Sequence, residues 1–368
     1  MKRLWKKNID GVKPYIPGKP IQEVKRDLGI ENVIKLASNE NPLSPSPRVI
    51  DAINKAAKEV NRYPEGSCFY LRKALAEKLD VEKENLVFGN GSDEIIVLAL
   101  RAFIEPGDEV LISDPTFAVY GIASQVEGAA VKYVPMKDMT YDVDSMISAI
   151  SGKTKIIFIA NPDNPTGCYM TDSELKKLID AVDETMIVVI DEAYYEFARG
   201  DDYPETVGLI DRSDKNILVT RTFSKVYGLA GLRIGYGIAR KDIAGAIDKV
   251  REPFNVNSIA QEAALAAVGD TEYVEKVVAL VETEKKRYYS FLNEINIDFK
   301  PSRTNFILIS TGRDSRKVAD YLLSNGVIVR EMSSWRLKGY IRVNIGLPGE
   351  NDRFFEVFRK AVENIPGE

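Results

Sequence analysis

The stretch KIIFIANPDNPTGCYMTDSELKKLIDAVDETMIVVIDEAYYEF, residues 155–197, decides the fold. It begins with an apolar run, continues into an amphipathic segment at 171–184, and reaches a second apolar run at 186–190. The amphipathic segment opens with Thr171 and Glu174, which match a capping box and predict the start of a helix. Two strands that are apolar along their whole length and are separated by a helix indicate a parallel sheet with both faces covered.

The same alternation of apolar and amphipathic segments extends from about residue 85 to 240. It predicts further strands at 85–89, 109–113, 130–136, 216–220 and 232–239, and a helix at 92–104. The last hundred residues differ, because their pattern of short strands and charged helices is typical of an α+β domain. We place helices there at about 272–292, at 314–326 and from about 351, and strands at 306–310, 327–331 and 340–346.

These patterns predict an α/β protein in three parts. An N-terminal arm, residues 1–45, is rich in proline and glycine, and we expect it to pack with the small domain. A large domain, residues 46–260, contains a mostly parallel sheet covered by helices on both faces. A smaller α+β domain follows at residues 261–368.

The composition argues against several classes of protein. The 368 residues are 45% hydrophobic and 29% charged, as in an ordinary folded protein with a large core. The 50 basic and 55 acidic residues give a net charge of -5, so we expect no binding to nucleic acid. We also expect no signal peptide and no membrane span, because the apolar runs that each requires are absent from the sequence.

Two cysteines and the lack of histidine limit the chemistry. Cys68 and Cys168 lie in unrelated contexts, which argues against a disulfide framework or a Cys-rich metal site and favours a reducing, cytoplasmic compartment. Without histidine, any acid–base catalysis must use Lys, Asp, Glu, Tyr or Cys. We predict no metal site.

Polar or glycine-rich clusters follow four of the predicted strands. They are GNGSDE at 89–94, NPDNPTG at 161–167, DEAYYEF at 191–197 and RTFSK at 221–225. In open α/β sheets ligands bind at the C-terminal ends of the strands, so these clusters could converge on one ligand. GNGSDE also opens a helix, where free backbone N–H groups favour an anion such as phosphate.

Each cluster taken singly has an ordinary structural interpretation. GNGSDE could be a turn with a helix cap, Asp191 a cap or an ion-pair partner, and Asn164 a turn residue. Lys225 could be a solvated lysine. Together, however, a phosphate cradle, a buried carboxylate, a tyrosine and an isolated lysine are what a pyridoxal phosphate site needs. The lysine binds the aldehyde, and the carboxylate keeps the ring nitrogen protonated.

The chain resembles the fold-type-I, pyridoxal-phosphate-dependent aminotransferases, and within them the histidinol-phosphate aminotransferase family. NPDNPTG (161–167), DEAY (191–194) and SKVYGLAGLRIGY (224–236) carry the resemblance, in that order and at separations similar to the family's. It extends over essentially the whole chain, from KPYIPGKP (13–20) and ASNENP (37–42) to GYIRVNIG (339–346).

The resemblance implies a role for each matching residue around the cofactor, and it makes the large domain the cofactor-binding one. Lys225 would bind the cofactor aldehyde and then act as the general base. Asp191 would pair with the ring nitrogen, Asn164 and Tyr194 would bond the phenolic oxygen, and Phe117 would stack on the ring. The cofactor phosphate would be held by Gly91, Ser92, Thr222, Ser224 and Arg233, and Asp93 would also belong to the cofactor site.

The resemblance also implies substrate contacts. Arg342 would bind the substrate carboxylate of aminotransferases in general, and Arg330 would join it to hold a substrate phosphate or a carboxylate of 2-oxoglutarate. Tyr15 would close over the substrate, which Asn164 would also contact. Arg336 could replace Arg330 as the partner of Arg342 or could be exposed. Asn39 and Glu40 lie near the same mouth and receive no role.

A further implication is a homodimer with shared active sites. Tyr63 matches a tyrosine that reaches the cofactor phosphate of the neighbouring subunit, which fits two-fold symmetry. The ordinary interpretation of Tyr63 is a surface aromatic residue packed beneath a loop.

The implied reaction is transamination of L-histidinol phosphate with 2-oxoglutarate, which yields imidazole-acetol phosphate and glutamate in histidine biosynthesis. The alternatives are an aminotransferase for aromatic or other amino acids and a threonine-phosphate decarboxylase of the same fold. Arg330 favours a phosphorylated substrate without separating the first activity from this decarboxylase. A non-catalytic regulator of the same fold would need an added DNA-binding domain, for which the chain has neither the length nor a basic segment. A Rossmann dehydrogenase is disfavoured because Glu94 stands where the dinucleotide fingerprint requires its third glycine.

Overall fold

The computed structural model describes residues 4–198, 200 and 202–367, and its centre is a seven-stranded sheet. The strands are β1 (Ile34–Lys35), β2 (Leu86–Gly89), β3 (Glu109–Asp114), β4 (Ala130–Pro135), β5 (Thr154–Ala160), β6 (Ile187–Asp191), β7 (Asn216–Thr222), β8 (Gly235–Ala239), β9 (Phe306–Ser310), β10 (Val327–Ile328), β11 (Arg330–Glu331) and β12 (Tyr340–Asn344). The α-helices are α1 (Ile21–Leu28), α2 (Pro47–Ala56), α3 (Phe69–Leu79), α4 (Ser92–Phe103), α5 (Ala118–Glu127), α6 (Val143–Ala149), α7 (Asp172–Asp180), α8 (Val207–Arg212), α9 (Lys241–Lys249), α10 (Ser258–Val268), α11 (Thr271–Glu294), α12 (Ser315–Ser324) and α13 (Pro348–Asn364).

The order in the large sheet is β2-β8-β7-β6-β5-β3-β4. Neighbouring strands pair in parallel from β7 to β4, whereas β8 runs antiparallel to both β2 and β7. Successive residues of β5 alternate between two cores, with Ile157 in one cluster and Ile156 and Phe158 in the other. A sheet that is buried on both faces needs strands that are apolar throughout, and this requirement explains the sequence pattern. The structure therefore confirms the predicted α/β fold with a mostly parallel sheet.

Two smaller sheets complete the fold. The strands β11, β12 and β9 form an antiparallel sheet, and β1 from the N-terminal region pairs in parallel with β10. Phe306 and Ile309 of β9 and Ile341 of β12 belong to the same hydrophobic cluster as Val188 and Ile190 of β6, so packing is continuous between the two sheets. The domain limits at residues 45 and 260 stay predictions. In the part of the chain that the structure describes, no helix is long and apolar enough to cross a membrane.

The predicted strand at 327–331 was wrong as a single strand. It is divided at Val329 because its first half pairs with β1 and its second half pairs with β12, in a different sheet. The strand predicted at 232–239 begins only at Gly235, since a 3₁₀ turn at Ala230–Leu232 precedes it and Arg233 has a φ of 58°.

Two predicted helix limits also differ from the structure. The helix predicted for 171–184 ends at Asp180, although its capping box is present, with Glu174 accepting from the Thr171 N–H at 2.8 Å. The C-terminal helix begins at Pro348 rather than at 351. Proline is favoured in the first turn of a helix because its missing N–H is not needed there.

A buried ion pair joins the ends of β6 and β7. The Arg221 Nε donates to Glu192 Oε2 at 2.8 Å, and the guanidinium carbon lies 3.6 Å from the ring centre of Tyr195. Thr206 donates to the other carboxylate oxygen of Glu192 at 2.8 Å. The two charged side chains are only 6% and 0% exposed, so each charge depends on the other for compensation.

Replacing Glu192 by Gln should therefore destabilise the fold. The change leaves the buried Arg221 without its counter-ion, which costs about 3 kcal/mol or more and lowers the Tm by about 4 °C or more. The matched control is Glu82→Gln, which breaks an exposed pair with Lys241 and should cost less than about 1 kcal/mol. Equal Tm losses in thermal unfolding of the two variants would contradict the prediction.

Candidate active site

A cavity of about 350 Å³ opens where the loops after β2, β3, β5, β6 and β7 meet β11 and β12. The predicted site residues that line it are Tyr15, Ser92, Asp93, Phe117, Asn164, Asp191, Tyr194, Thr222, Ser224, Lys225, Arg233, Arg330 and Arg342. Gly91 directly precedes Ser92 at the start of α4. Tyr63 does not line the cavity and lies on the surface, with 83% of its area exposed.

Lys225 follows β7 and is held by its buried neighbours. The backbone N–H of Phe223 donates to the Ile234 carbonyl at 3.1 Å, and the Phe223 side chain is fully buried. The Lys225 ammonium lies 5.6 Å from the ring centre of Tyr194. Burial and the positive charge of Arg342 lower the pKa of Lys225 from 10.5 to about 8, against the opposing effect of Asp93. A large fraction of this amine is therefore uncharged near pH 8, which is the nucleophilic and basic form.

Asp191 ends β6 and is almost completely buried. Its Oδ2 accepts a hydrogen bond from the Tyr120 hydroxyl at 2.7 Å, and its Oδ1 accepts one from Thr220 at 3.0 Å. Burial raises the pKa of Asp191 to about 6, although both hydrogen bonds stabilise the charged form. Both donors are neutral hydroxyl groups, so they do not cancel the negative charge of Asp191. That charge remains available to a cationic group of a ligand.

The start of α4 and the side chain of Arg233 form a cradle for an anion. The Arg233 Nη1 lies 3.3 Å from Ser224 Oγ, and its Nη2 lies 3.4 Å from Asp93 Oδ2. Gly91 has a φ of 89°, a conformation that favours glycine, and a Cβ there would lie 2.5 Å from Arg233 Nη2 and would displace the guanidinium. The N–H groups that begin a helix and a guanidinium together suit a phosphate group.

Two buried arginines lie side by side in the small sheet. Arg330 and Arg342 are directly paired in the register of β11 and β12. Arg342 donates to Asn164 Oδ1 and, at 3.1 Å, to the Ala37 carbonyl, and its Nε is buried without a partner. Burial lowers the pKa of Arg342, and the charge of Arg330 lowers it further. Within residues 4–198, 200 and 202–367, neither arginine has an ion pair with an acidic side chain, which leaves both available to an anionic ligand.

The structure gives Arg336 and Tyr15 different surroundings. Arg336 forms an ion pair with Asp114 at 2.7 Å and is 64% exposed, so it lies outside this cavity. It lines a neighbouring cavity of about 340 Å³. Tyr15 lines both cavities, and its ring centre lies 5.7 Å from the Arg330 guanidinium.

Three polar residues of the site have no role assigned from the sequence: Asn39, Glu40 and Tyr120. Asn39 is buried, has a φ of 54°, and donates from Nδ2 to the Tyr194 hydroxyl oxygen at 2.8 Å. Asn39 belongs to the motif ASNENP, which carries part of the family resemblance, but the motif does not reveal the contact with Tyr194. Tyr120 gave no signal at all, because a tyrosine in an apolar helix start is usually a core residue. Glu40 lines the cavity mouth and accepts from Lys35 at 2.9 Å.

Comparison with known proteins shows the class of the enzyme. The family model for aminotransferase class I and II matches residues 31–358. The chain belongs to this family, as the resemblance in its motifs indicates, and it is an aminotransferase.

Its individual relatives are similar over nearly their full length. The histidinol-phosphate aminotransferase of Moorella thermoacetica is 42% identical over 354 residues, which cover 96% of this chain and 92% of that protein. Histidinol-phosphate aminotransferase 2 of Carboxydothermus hydrogenoformans is 42% identical over 361 residues, which cover 98% and 99%. The crystal structure of histidinol-phosphate aminotransferase from Sinorhizobium meliloti in complex with pyridoxal-5'-phosphate is 28% identical, with a TM-score of 0.89 and 98% of each chain covered.

The low pKa of Lys225 can be measured directly in the ligand-free protein. We expect acetylation of Lys225 by acetic anhydride, followed by mass spectrometry across a pH series, to rise with a midpoint near 8. Arg342→Met removes a repelling positive charge and should move this midpoint to higher pH. Arg336→Met is the control and should leave it unchanged. A midpoint near 10.5 in the unaltered protein would refute the assignment.

Proposed function

We propose that this aminotransferase binds pyridoxal 5'-phosphate in the cavity and transaminates L-histidinol phosphate with 2-oxoglutarate. The observation that carries the proposal is the pair of buried arginines, Arg330 and Arg342, in the same cavity as Lys225. The names of the curated relatives support the substrate, and the ligand of the Sinorhizobium meliloti structure supports the cofactor.

The residues present fit this cofactor. Lys225 would bind its aldehyde, and the charge of Asp191 would face its ring nitrogen. Phe117 would cover one face of the ring, and Asn164 and Tyr194 would contact the phenolic oxygen. The phosphate would be held by Gly91, Ser92, Thr222, Ser224 and Arg233, around a cradle that a Cβ at position 91 would fill, and the Asp93 carboxylate would lie beside Arg233. When bound, the cofactor supplies an electron sink for negative charge at the substrate α-carbon.

Lys225 is also placed to move the proton. Its pKa of about 8 is close enough to neutral pH for the amine to accept a proton from the substrate α-carbon and to return one. Asp93 and Glu40 partly offset the positive charge of Arg342 that lowers this pKa. The same side chain thus serves first as anchor and then as general base.

The two arginines suit both substrates. Guanidinium groups bind phosphate and carboxylate equally well in a planar, two-pronged geometry, so one anion site can hold histidinol phosphate and then 2-oxoglutarate. Arg330 already donates to the Ile16 carbonyl at 2.5 Å, and Tyr15 lies beside it. Tyr15 and the adjoining backbone therefore form one wall of the substrate end.

A spectroscopic half-reaction tests the proposal. Addition of histidinol phosphate to the purified holoenzyme should convert its absorbance to that of the pyridoxamine form, and 2-oxoglutarate should restore it. Phenylalanine, aspartate and phosphothreonine are the competing substrates. Conversion by phenylalanine or aspartate but not by histidinol phosphate would refute the substrate, and CO₂ release from phosphothreonine would identify the decarboxylase instead.

Arg330→Met should weaken the use of the phosphorylated substrate. Loss of a charged hydrogen-bond donor to phosphate costs about 1.5–3 kcal/mol, so kcat/KM for histidinol phosphate should fall about 10- to 100-fold. The matched control is Arg336→Met, which changes an exposed arginine outside the cavity and should alter kcat/KM by less than about twofold. Equal losses in the two variants would remove Arg330 from the substrate site.

We also propose a homodimer in which Tyr63 reaches the active site of the partner subunit. Tyr63 and Phe254 are both exposed, and their rings stack with centres 4.9 Å apart. Two residues nearby in sequence are also exposed, Phe69 to 50% and Tyr70 to 65%. A second copy of the chain would bury this aromatic surface and would place Tyr63 near the cofactor phosphate.

A mixture of two impaired variants tests the shared site. Lys225→Ala and Tyr63→Ala, unfolded together and refolded, should form hybrid dimers in which one of the two sites contains both native residues. With random pairing, about a quarter of all active sites contain both native residues, so the activity of the mixture should exceed the mean activity of the two separate variants. An activity equal to that mean would show that Tyr63 serves its own subunit or none.

We also propose that the enzyme is cytoplasmic. Cys68 and Cys168 are free thiols, and neither is paired in a disulfide. Free cysteines are typical of reducing compartments, which supports a cytoplasmic enzyme.

A further inference from the structure

The buried Tyr120 contacts both Asp191 and Phe117, two residues of the proposed cofactor site. We propose that Tyr120 is a positioning residue that fixes the Asp191 carboxylate through its hydroxyl and supports the Phe117 ring through its own ring. This inference rests on the proposed cofactor but not on the proposed substrate.

The hydroxyl of Tyr120 has one acidic partner. It donates to Asp191 Oδ2 at 2.7 Å, while Thr220 donates to Oδ1 at 3.0 Å. With a hydroxyl donor on each oxygen, and with the Ala193 backbone also stabilising the charged form, the carboxylate cannot rotate about its Cβ–Cγ bond without losing a hydrogen bond in a buried site. The lone pairs that remain on its oxygens are free to accept from the protonated ring nitrogen of the cofactor.

The ring of Tyr120 is fixed from two sides. It stacks on Phe158 of β5 with ring centres 4.9 Å apart and an interplanar angle of 2°. The Phe117 ring meets it edge to face, at 5.5 Å and 86°. Tyr120 is fully buried and Phe117 only partly, and both line the cavity, so Tyr120 packs beside the ring that would cover the cofactor and supports it there.

The hydroxyl also affects the charge of Asp191. Hydrogen bonds to a carboxylate stabilise its ionised form, and loss of one raises the pKa of the group. The pKa of Asp191 is already about 6 because of burial, and the negative charge of Asp93 also raises it. Tyr120 itself is surrounded by Asp191, Asp163 and Tyr141, which together with burial hold the pKa of its hydroxyl well above 10. It therefore remains a hydrogen-bond donor at every pH at which the enzyme would be assayed.

Tyr120→Phe isolates the hydroxyl, because it keeps the ring contacts with Phe158 and Phe117. The matched control is Tyr141→Phe, which removes an equally buried hydroxyl whose main partner is the Ala160 carbonyl at 2.6 Å. Both variants should lose similar stability in thermal unfolding. Any difference between them in cofactor properties then reports the bond to Asp191.

The readouts are cofactor affinity and absorbance, both measured without substrate. In Tyr120→Phe we expect the Kd of pyridoxal phosphate to rise about tenfold, as for a lost hydrogen bond to a charged group. The pH midpoint of the visible absorbance change should also move to higher pH. The positive charge on the cofactor ring would be less stabilised in this variant, so the pKa of the nitrogen that joins the cofactor to Lys225 would rise. Tyr141→Phe should change neither value.

A second variant tests the support of Phe117. Tyr120→Leu removes the hydroxyl and the ring together, and it should raise the Kd beyond the value of Tyr120→Phe. If this variant fails to fold, Tyr120→Phe still decides the role of the hydroxyl, and the inference that Tyr120 fixes Asp191 stands or falls on that result. Native Kd and native midpoint in Tyr120→Phe would overturn the inference. Failure of the unaltered chain to bind pyridoxal phosphate would instead refute the proposed cofactor, and turnover of another amino donor would refute only the substrate.

Discussion

The active site depends on the parallel pairing of β5, β6 and β7. Their register places Ala160 beside Asp191 and Asp191 beside Thr220, so three strands end at one edge of the sheet. The ion pair of Glu192 and Arg221 joins the next residues along β6 and β7, where the hydrogen bonding of the sheet is about to end. Since a buried pair loses several kcal/mol when one partner is removed, this pair resists separation of the two loops.

Several charges of the cavity are left uncompensated by the protein. Burial raises the pKa of Asp191 and lowers the pKa of Lys225 and Arg342, which means that each group is less stable charged than in water. Local backbone strain occurs at the same place, with positive φ angles at Asn39 and Arg233. A ligand with a cationic ring and an anionic end supplies the missing charges. The cavity is thus complementary to a ligand of this charge pattern before one is bound.

The sequence predicted those features that depend on local pattern. Apolar runs predicted the strands of the large sheet, and strand-end motifs predicted which side chains would meet, because parallel strands end at one edge. It could not predict the division of 327–331 at Val329, which depends on two different partner strands. The contacts of Asn39 with Tyr194 and of Tyr120 with Asp191 join residues 155 and 71 positions apart. Such contacts follow from packing and leave no periodic signal in the chain.

The contacts of Arg342 connect the proposed substrate end of the cavity to the proposed cofactor end. Arg342 donates to Asn164 in the loop after β5, and its charge contributes to the low pKa of Lys225. An anion bound between Arg330 and Arg342 would offset that charge, and the pKa of Lys225 would then rise. Lys225 would become a stronger base when an anionic substrate is present, because the same anion that positions the substrate removes the repulsion on the amine. In the proposed function, the antiparallel register of β11 and β12 would therefore link substrate recognition to proton transfer.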